Sequence, residues 1–159
     1  VKIYDEHNVL IREAQFDDIK GLAQNMRKAE VDEVWSESHL GPEKALRLSF
    51  HRSSLKYSLF FKDRIVAMFG VVPESLLSDH AQVWMLTSNE IDRMKIRFLK
   101  LSRKFIEFLR ERYPVLQNFV DCRHERSIAW LEWLGAEVSP PESYGPDNMP
   151  FRFFTFGGR

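Results

Sequence analysis

Between Val83 and Tyr113 the chain passes from a short apolar strand, Val83 to Leu86, through a polar corner, Thr87-Ser88-Asn89-Glu90, into a long basic helix. Met94, Phe98, Leu101, Phe105, Phe108 and Leu109 recur at three- and four-residue steps, which at about 3.6 residues per turn places them on one face. That face is expected to lie on a sheet, which points to folds in which helices pack on sheets. The opposite face holds Arg93, Lys95, Arg97, Lys100, Arg103, Lys104, Arg110 and Arg112 against only Glu107 and Glu111. Positive charge beginning beside a strand end fits an anion site, and it fits a solvated surface equally.

The remaining elements are read around that pair. Val9 to Ala14 is a first strand, after which Asp17 or Asp18 can cap a helix carrying Ile19, Leu22, Ala23, Met26 and Ala29. The segment from Val31 to Gly41 is acidic through Asp32, Glu33 and Glu37, with Glu30 just before it, and has Trp35 and Leu40 as apolar anchors; its class stays open. A second helix starts at Pro42 and ends with His51 and Arg52, cations that suit a helix C-terminus. Tyr57 to Phe61 and Ile65 to Val72 form a hairpin about Lys62-Asp63-Arg64. Thr87 with Glu90 has capping-box spacing, so the long helix is expected to start near Ser88. Proline at 114 stops it. Asn118 to Cys122 is another strand, and His124 to Leu134 a compact helix ended by Gly135. Pro140, Pro141, Gly145, Pro146 and Pro150 mark a loop before a last strand, Phe151 to Phe156.

The order β-α-α-β-β-β-α-β-α-β makes this a mixed α/β chain with an antiparallel first half and a crossover pair in the second. No linker or repeat divides it, so residues 1–159 are expected to form a single domain. Lys plus Arg equals Asp plus Glu, which removes any overall pull toward nucleic acid or anionic membrane. Cys122 stands alone, excluding an intramolecular disulfide and a thiolate zinc cluster. No apolar run reaches the roughly 18 residues of a membrane span, and the amino terminus lacks the core of a secretory signal. A soluble protein is expected, with at least an initiator methionine lost before Val1.

From His124 through Ser127-Ile128-Ala129-Trp130-Leu131-Glu132-Trp133-Leu134-Gly135-Ala136 the chain resembles the penultimate helix of the GNAT acetyltransferase superfamily. The element order, with Ile11-Arg12-Glu13-Ala14 before Asp17-Asp18, agrees along nearly the whole length. A GNAT-like fold is therefore expected, a central mixed sheet flanked by helices. A narrower likeness is to the internal virion protein A family of podophages. It rests on Val83-Trp84-Met85-Leu86-Thr87-Ser88, Arg103-Lys104-Phe105, Leu134-Gly135-Ala136 and the closing Phe153-Phe154-Thr155-Phe156-Gly157-Gly158.

The superfamily resemblance implies acetyl-CoA as cofactor, no metal, and a cofactor-binding stretch at Met85, Leu86 and Thr87. GNAT enzymes hold the pyrophosphate on a glycine-rich turn after the central strand, where backbone amides approach it closely. Here Ser88 to Lys95 contains no glycine and carries Glu90 and Asp92. Arg93, Lys95 and Arg97 are the side chains that could replace the turn. The tyrosine that many members use as general acid falls at Leu131, which transfers no proton. Tyr144 is the substitute acid to consider, and a rim residue otherwise. Glu74 leads the candidates for a base, ahead of Asp79 and His80, each equally readable as a solvated strand-end group. His124 is a helix-start residue, and His7, His39 and His51 have no metal spacing. Trp130 and Trp133 cannot easily share one narrow buried stripe, so one is expected at the surface or the helix is covered on two sides.

These readings lead to a phage or prophage protein that keeps the GNAT fold with a degenerate acetyl-CoA site and binds an unidentified virion or host protein, in the host cytoplasm or the virion. The alternative is an active acyl-CoA-dependent N-acetyltransferase with a non-standard pyrophosphate grip. Nucleic-acid binding by the basic helix comes third.

Overall fold

The computed structural model describes residues 2–157, so Gly158 of the closing motif lies outside the described residues. One eight-stranded sheet has the order β1-β2-β3-β4-β5-β6-β8-β7. Its strands are β1 Lys2–Glu6, β2 Val9–Glu13, β3 Leu55–Phe61, β4 Arg64–Pro73, β5 His80–Thr87, β6 Val115–Asp121, β7 Glu137–Tyr144 and β8 Met149–Phe156. Only β5 and β6 are parallel. The helices are α1 Asp18–Asn25, α2 Lys28–Ser38, α3 Pro42–Arg52, α4 Lys95–Arg112 and α5 Glu125–Trp133.

Alternation along β4 decides which helices lie on which face. Ala67, Phe69 and Val71 enter a core with Met94, Phe98, Leu101 and Leu109 of α4 and with Ile128 and Leu131 of α5. Met68 points the other way, into a core with Ile19 and Leu22 of α1, Val34 of α2 and Ala45 and Leu46 of α3. The mixed α/β single domain expected from the element order is the one observed.

Three local expectations need correction, and one segment left open is assigned. Val9 to Glu13 is not the first strand, because β1 precedes it in a hairpin turned by His7 and Asn8, both at positive φ. The acidic segment is helical, and α2 ends where His39 takes a left-handed conformation. The proline-rich stretch is strand β7 at the sheet edge, where proline's missing donor is tolerated; it carries an irregularity between Val138 and Pro141. The long helix does not begin on a Thr87 capping box. Ser88 caps a 3-10 turn, Asn89–Arg93, through its side chain and the amide of Glu90, and α4 begins after a break at Met94.

Two side-chain expectations also differ. Phe108, at the margin of the apolar arc of α4, is 39% exposed rather than buried. Neither Asp17 nor Asp18 caps α1 by the simple route. The Asp18 carboxylate accepts instead from the Gln15 amide, the Arg12 guanidinium and the Ser58 hydroxyl, tying α1 to β2 and β3.

Candidate functional site

Strands β5 and β6 start as neighbours and then separate. Their parallel register covers only His80–Gln82 against Val115–Gln117. At the next step the Asn118 side-chain amide donates to the Val83 carbonyl across 2.8 Å. Beyond it the pair stays open while each strand keeps its outer neighbour, β4 as far as Thr87 and β8 as far as Asp121. Strand ends that diverge between a crossover helix and its sheet make a natural crevice.

Helix α2 is bonded to both edges of this crevice. The Arg27 amide donates to the Thr87 carbonyl at 3.1 Å, and one turn later the Glu30 carboxylate accepts from the Thr87 amide at 2.8 Å and from the Thr87 hydroxyl. Three residues further on, Glu33 accepts from the Asp121 amide at 2.9 Å and meets His124 Nδ1 at 3.3 Å. One helix thus terminates both diverging edges with carboxylates spaced a turn apart. Glu37, another turn along, faces the far wall made by β7.

Burial sets the charge states. Glu30 is only 6% exposed, and burial pushes its carboxyl up to about 7 against the opposing Thr87 hydrogen bonds and the charge of Arg27. Burial likewise pushes Glu37 to about 7, helped by the nearby charge of Glu33. The His124 imidazole is raised by its hydrogen bond to Glu33, despite burial. Burial alone would lift Asp121, but donation from the Arg123 side chain and amide outweighs it and holds that carboxyl low. Arg123 then spans to the Ser36 hydroxyl at 2.9 Å. The turn after β7 locks the far end of α2. At Gly145, where φ is +76°, an added Cβ would lie 2.2 Å from the Ser36 carbonyl, and His39 pairs with Asp147 at 2.8 Å. Outside the crevice, Val31, Trp35, Ser36, Leu40 and Arg123 line a shallow hollow of about 250 Å³.

The residues singled out from the sequence are dispersed. Of Met85, Leu86 and Thr87, only Thr87 joins the network; Leu86 packs in the α1/α3 core and Met85 against the other one. Arg93 pairs with Glu90 at 3.3 Å and Lys95 with Asp92 at 3.7 Å, while Arg97 donates to the His7 carbonyl in the β1–β2 turn. Glu74 lies past the end of β4, beside the start of β5, with Gln117 as its donor. Tyr144 ends β7 rather than sitting in a loop. It stacks on Phe119 with ring centroids 4.0 Å apart, and burial and Glu37 raise its phenol. Leu131 is buried in the α5 core. The carboxylates of α2 were missed as a set, although Glu30, Glu33 and Glu37 have the spacing of a single helix face.

Solved structures similar to this chain are acetyltransferases. Ard1 from Thermoplasma volcanium has TM-score 0.70 at 16% identity, covering 94% of this chain and 97% of its own. Ribosomal-protein-alanine N-acetyltransferase from Brucella melitensis has TM-score 0.68 at 18% identity, covering 92% and 98%. The ribosomal-protein-S5-alanine acetyltransferase from Vibrio fischeri has 0.66 at 13% identity, covering 98% and 95%. The fold is that of the GNAT acetyltransferases. A second similarity is at the level of sequence, where residues 66–140 match the family described as "Bacteriophage T7, probable scaffold protein Gp13". That match includes the Val83 to Ser88 and Leu134 to Ala136 stretches and stops before the closing phenylalanines. No curated protein matches the chain.

Proposed function

We propose that this GNAT-fold protein is a phage protein of the internal virion protein A kind, which no longer transfers acetyl groups and acts by contact with a virion or host protein. The observation that carries the reading is the occupation of both diverging strand edges by Glu30 and Glu33 of the protein's own α2. Acetyl-CoA fits these residues poorly. The Thr87 amide and carbonyl are both engaged, and the corner after β5 is a glycine-free 3-10 turn bearing Glu90 and Asp92. Two carboxylates beside a diphosphate oppose binding. Arg93 and Lys95 are already paired with those same acids, so recruiting them to a phosphate would break existing ion pairs. The match to a bacteriophage family over residues 66–140 supplies the context.

The alternative, an N-acetyltransferase in which Arg93, Lys95 and Arg97 grip the diphosphate, draws support from whole-length similarity to acetyltransferase structures. In that reading Tyr144, facing α2 across the crevice, is the better placed acid, and Glu74 the base. Calorimetric titration with acetyl-CoA and with free CoA separates the two. No heat and an unchanged melting temperature at ligand excess are expected. Micromolar binding that disappears in the Arg93→Ala, Lys95→Ala, Arg97→Ala triple variant would overturn the proposal and establish the alternative.

A further inference from the structure

Three large apolar side chains of α4 and α5 stand in water. Ile96 of α4 is 74% exposed, Leu99 38%, and Trp133 of α5 46%. Ile96, Leu99 and Arg103 follow one another at three- and four-residue steps, so they form a stripe about 10 Å long on the outer face of α4. Arg103 joins that stripe to α5: its guanidinium lies 3.9 Å from the centroid of a Trp133 ring and donates to the Trp133 carbonyl at 3.5 Å. Behind them Phe98 packs on Trp130, whose indole nitrogen donates to Ser102, so the two helices present the patch from a packed base.

Single exposed apolar residues need no explanation, but an apolar patch drawn from two elements and rimmed mainly by one sign of charge marks a contact surface. The rim here is Lys100, Arg103 and Lys104, with the single carboxylate of Glu132 beside Trp133, all exposed. Arg93 and Lys95 of the preceding turn have carboxylates of their own; among the described residues Lys100 and Lys104 have no ion-pair partner. We propose that this patch docks an acidic amphipathic segment of a partner protein. The segment's apolar side chains cover Ile96, Leu99 and Trp133, and its carboxylates meet Lys100, Arg103 and Lys104. This names the surface for the partner-binding role proposed above and rests on that reading.

The chemistry favours such a segment over other anions. Ile96 and Leu99 offer nothing to a phosphate backbone, and the chain has no net positive charge to hold one. A helical partner laying leucines into an aromatic-anchored patch gains both the apolar contact and the ion pairs.

The test uses the full chain and a labelled synthetic peptide of roughly four helical turns, with leucines on one face and glutamates on the other. Fluorescence anisotropy should show saturable binding that weakens with salt and falls about tenfold or more in Trp133→Ala and in Ile96→Glu. The second substitution lies at a well-exposed position, so it reads the surface even if the first disturbs packing. Absence of binding, or binding unchanged by both variants, overturns the proposal. So does tighter binding to single-stranded DNA or to phosphatidylserine vesicles. Acetyl-CoA titration of the same variants keeps the two readings apart. CoA binding refutes the degenerate cofactor site without touching the patch, and peptide failure refutes the patch while leaving the crevice as it was.

Discussion

Helix α2 buries its charge and helix α4 displays it. On α2, Glu30, Glu33 and Glu37 turn inward over successive turns, and two of them serve as acceptors for strand amides that would otherwise have no partner. On α4 the cations turn outward while Phe98, Leu101 and Leu109 take the interior. Opposite charges cancel in the net balance but have unequal consequences. A buried carboxylate must be hydrogen-bonded or neutralised, so it fixes geometry; an exposed ammonium is hydrated wherever it points, so it remains available to a partner.

The largest effect expected from this contrast is at Glu30. Replacing it with alanine leaves the buried Thr87 amide and hydroxyl without acceptors and should lower unfolding free energy by about 3 kcal/mol, read by chemical denaturation. A change below about 0.5 kcal/mol would mean α2 does not hold the edge of β5. Next is Gly145→Ala, which forces a side chain onto the Ser36 carbonyl at a positive φ and should cost about 2 kcal/mol. Faster hydrogen exchange at Thr87 and Asp121 should accompany it; if those two amides stay protected, the β7–β8 turn does not clamp α2.

A pH series comes third. In the folded protein Glu30 and Glu37 keep protons up to about 7, whereas the unfolded chain releases them near the ordinary value of 4.5. Between those values the native state binds more protons, so stability falls as pH rises through the window. The raised His124 acts in the same sense, its contribution lost as pH climbs through its folded value. A loss of about 1–3 kcal/mol is expected across the window, and Glu30→Gln with Glu37→Gln should flatten most of the slope. A slope that survives both substitutions would assign it to other groups. The smallest effect belongs to α4, where Lys100→Ala and Lys104→Ala should change stability by less than about 0.5 kcal/mol. A larger loss would mean those cations are internal partners and are not available to another protein.

The parts of this fold that could be read in advance are those in which each residue reports on its neighbours. The α4 periodicity predicted Phe98, Leu101 and Leu109 inside, and Gly135 marks the end of α5 at a φ of +102°. The hairpin of β3 and β4 showed in two apolar runs joined by Lys62-Asp63-Arg64, where Lys62 and Asp63 have positive φ. Strand β7 was misread because Pro140 and Pro141 signal a loop, a signal that an edge strand overrides by needing only one bonded side. The 3-10 turn was misread because Thr87 had the right spacing for a cap but was already claimed by Glu30.

The sequence by itself determined the types of the strongly periodic elements, most of the apolar face of α4, the missing glycine after β5 and the leucine at 131, since all of these are properties of residue identity and short spacing. Tertiary structure alone decided that carboxylates of α2 meet the diverging edges of β5 and β6. Glu30 meets Thr87 across 57 positions and Glu33 meets Asp121 across 88, and contacts so distant leave no periodic trace. Whether a carboxylate is a solvated charge or a buried acceptor depends on what packs over it. For Glu30 and Glu33 that is settled by the separation of β5 from β6, a feature of the sheet that no single segment encodes.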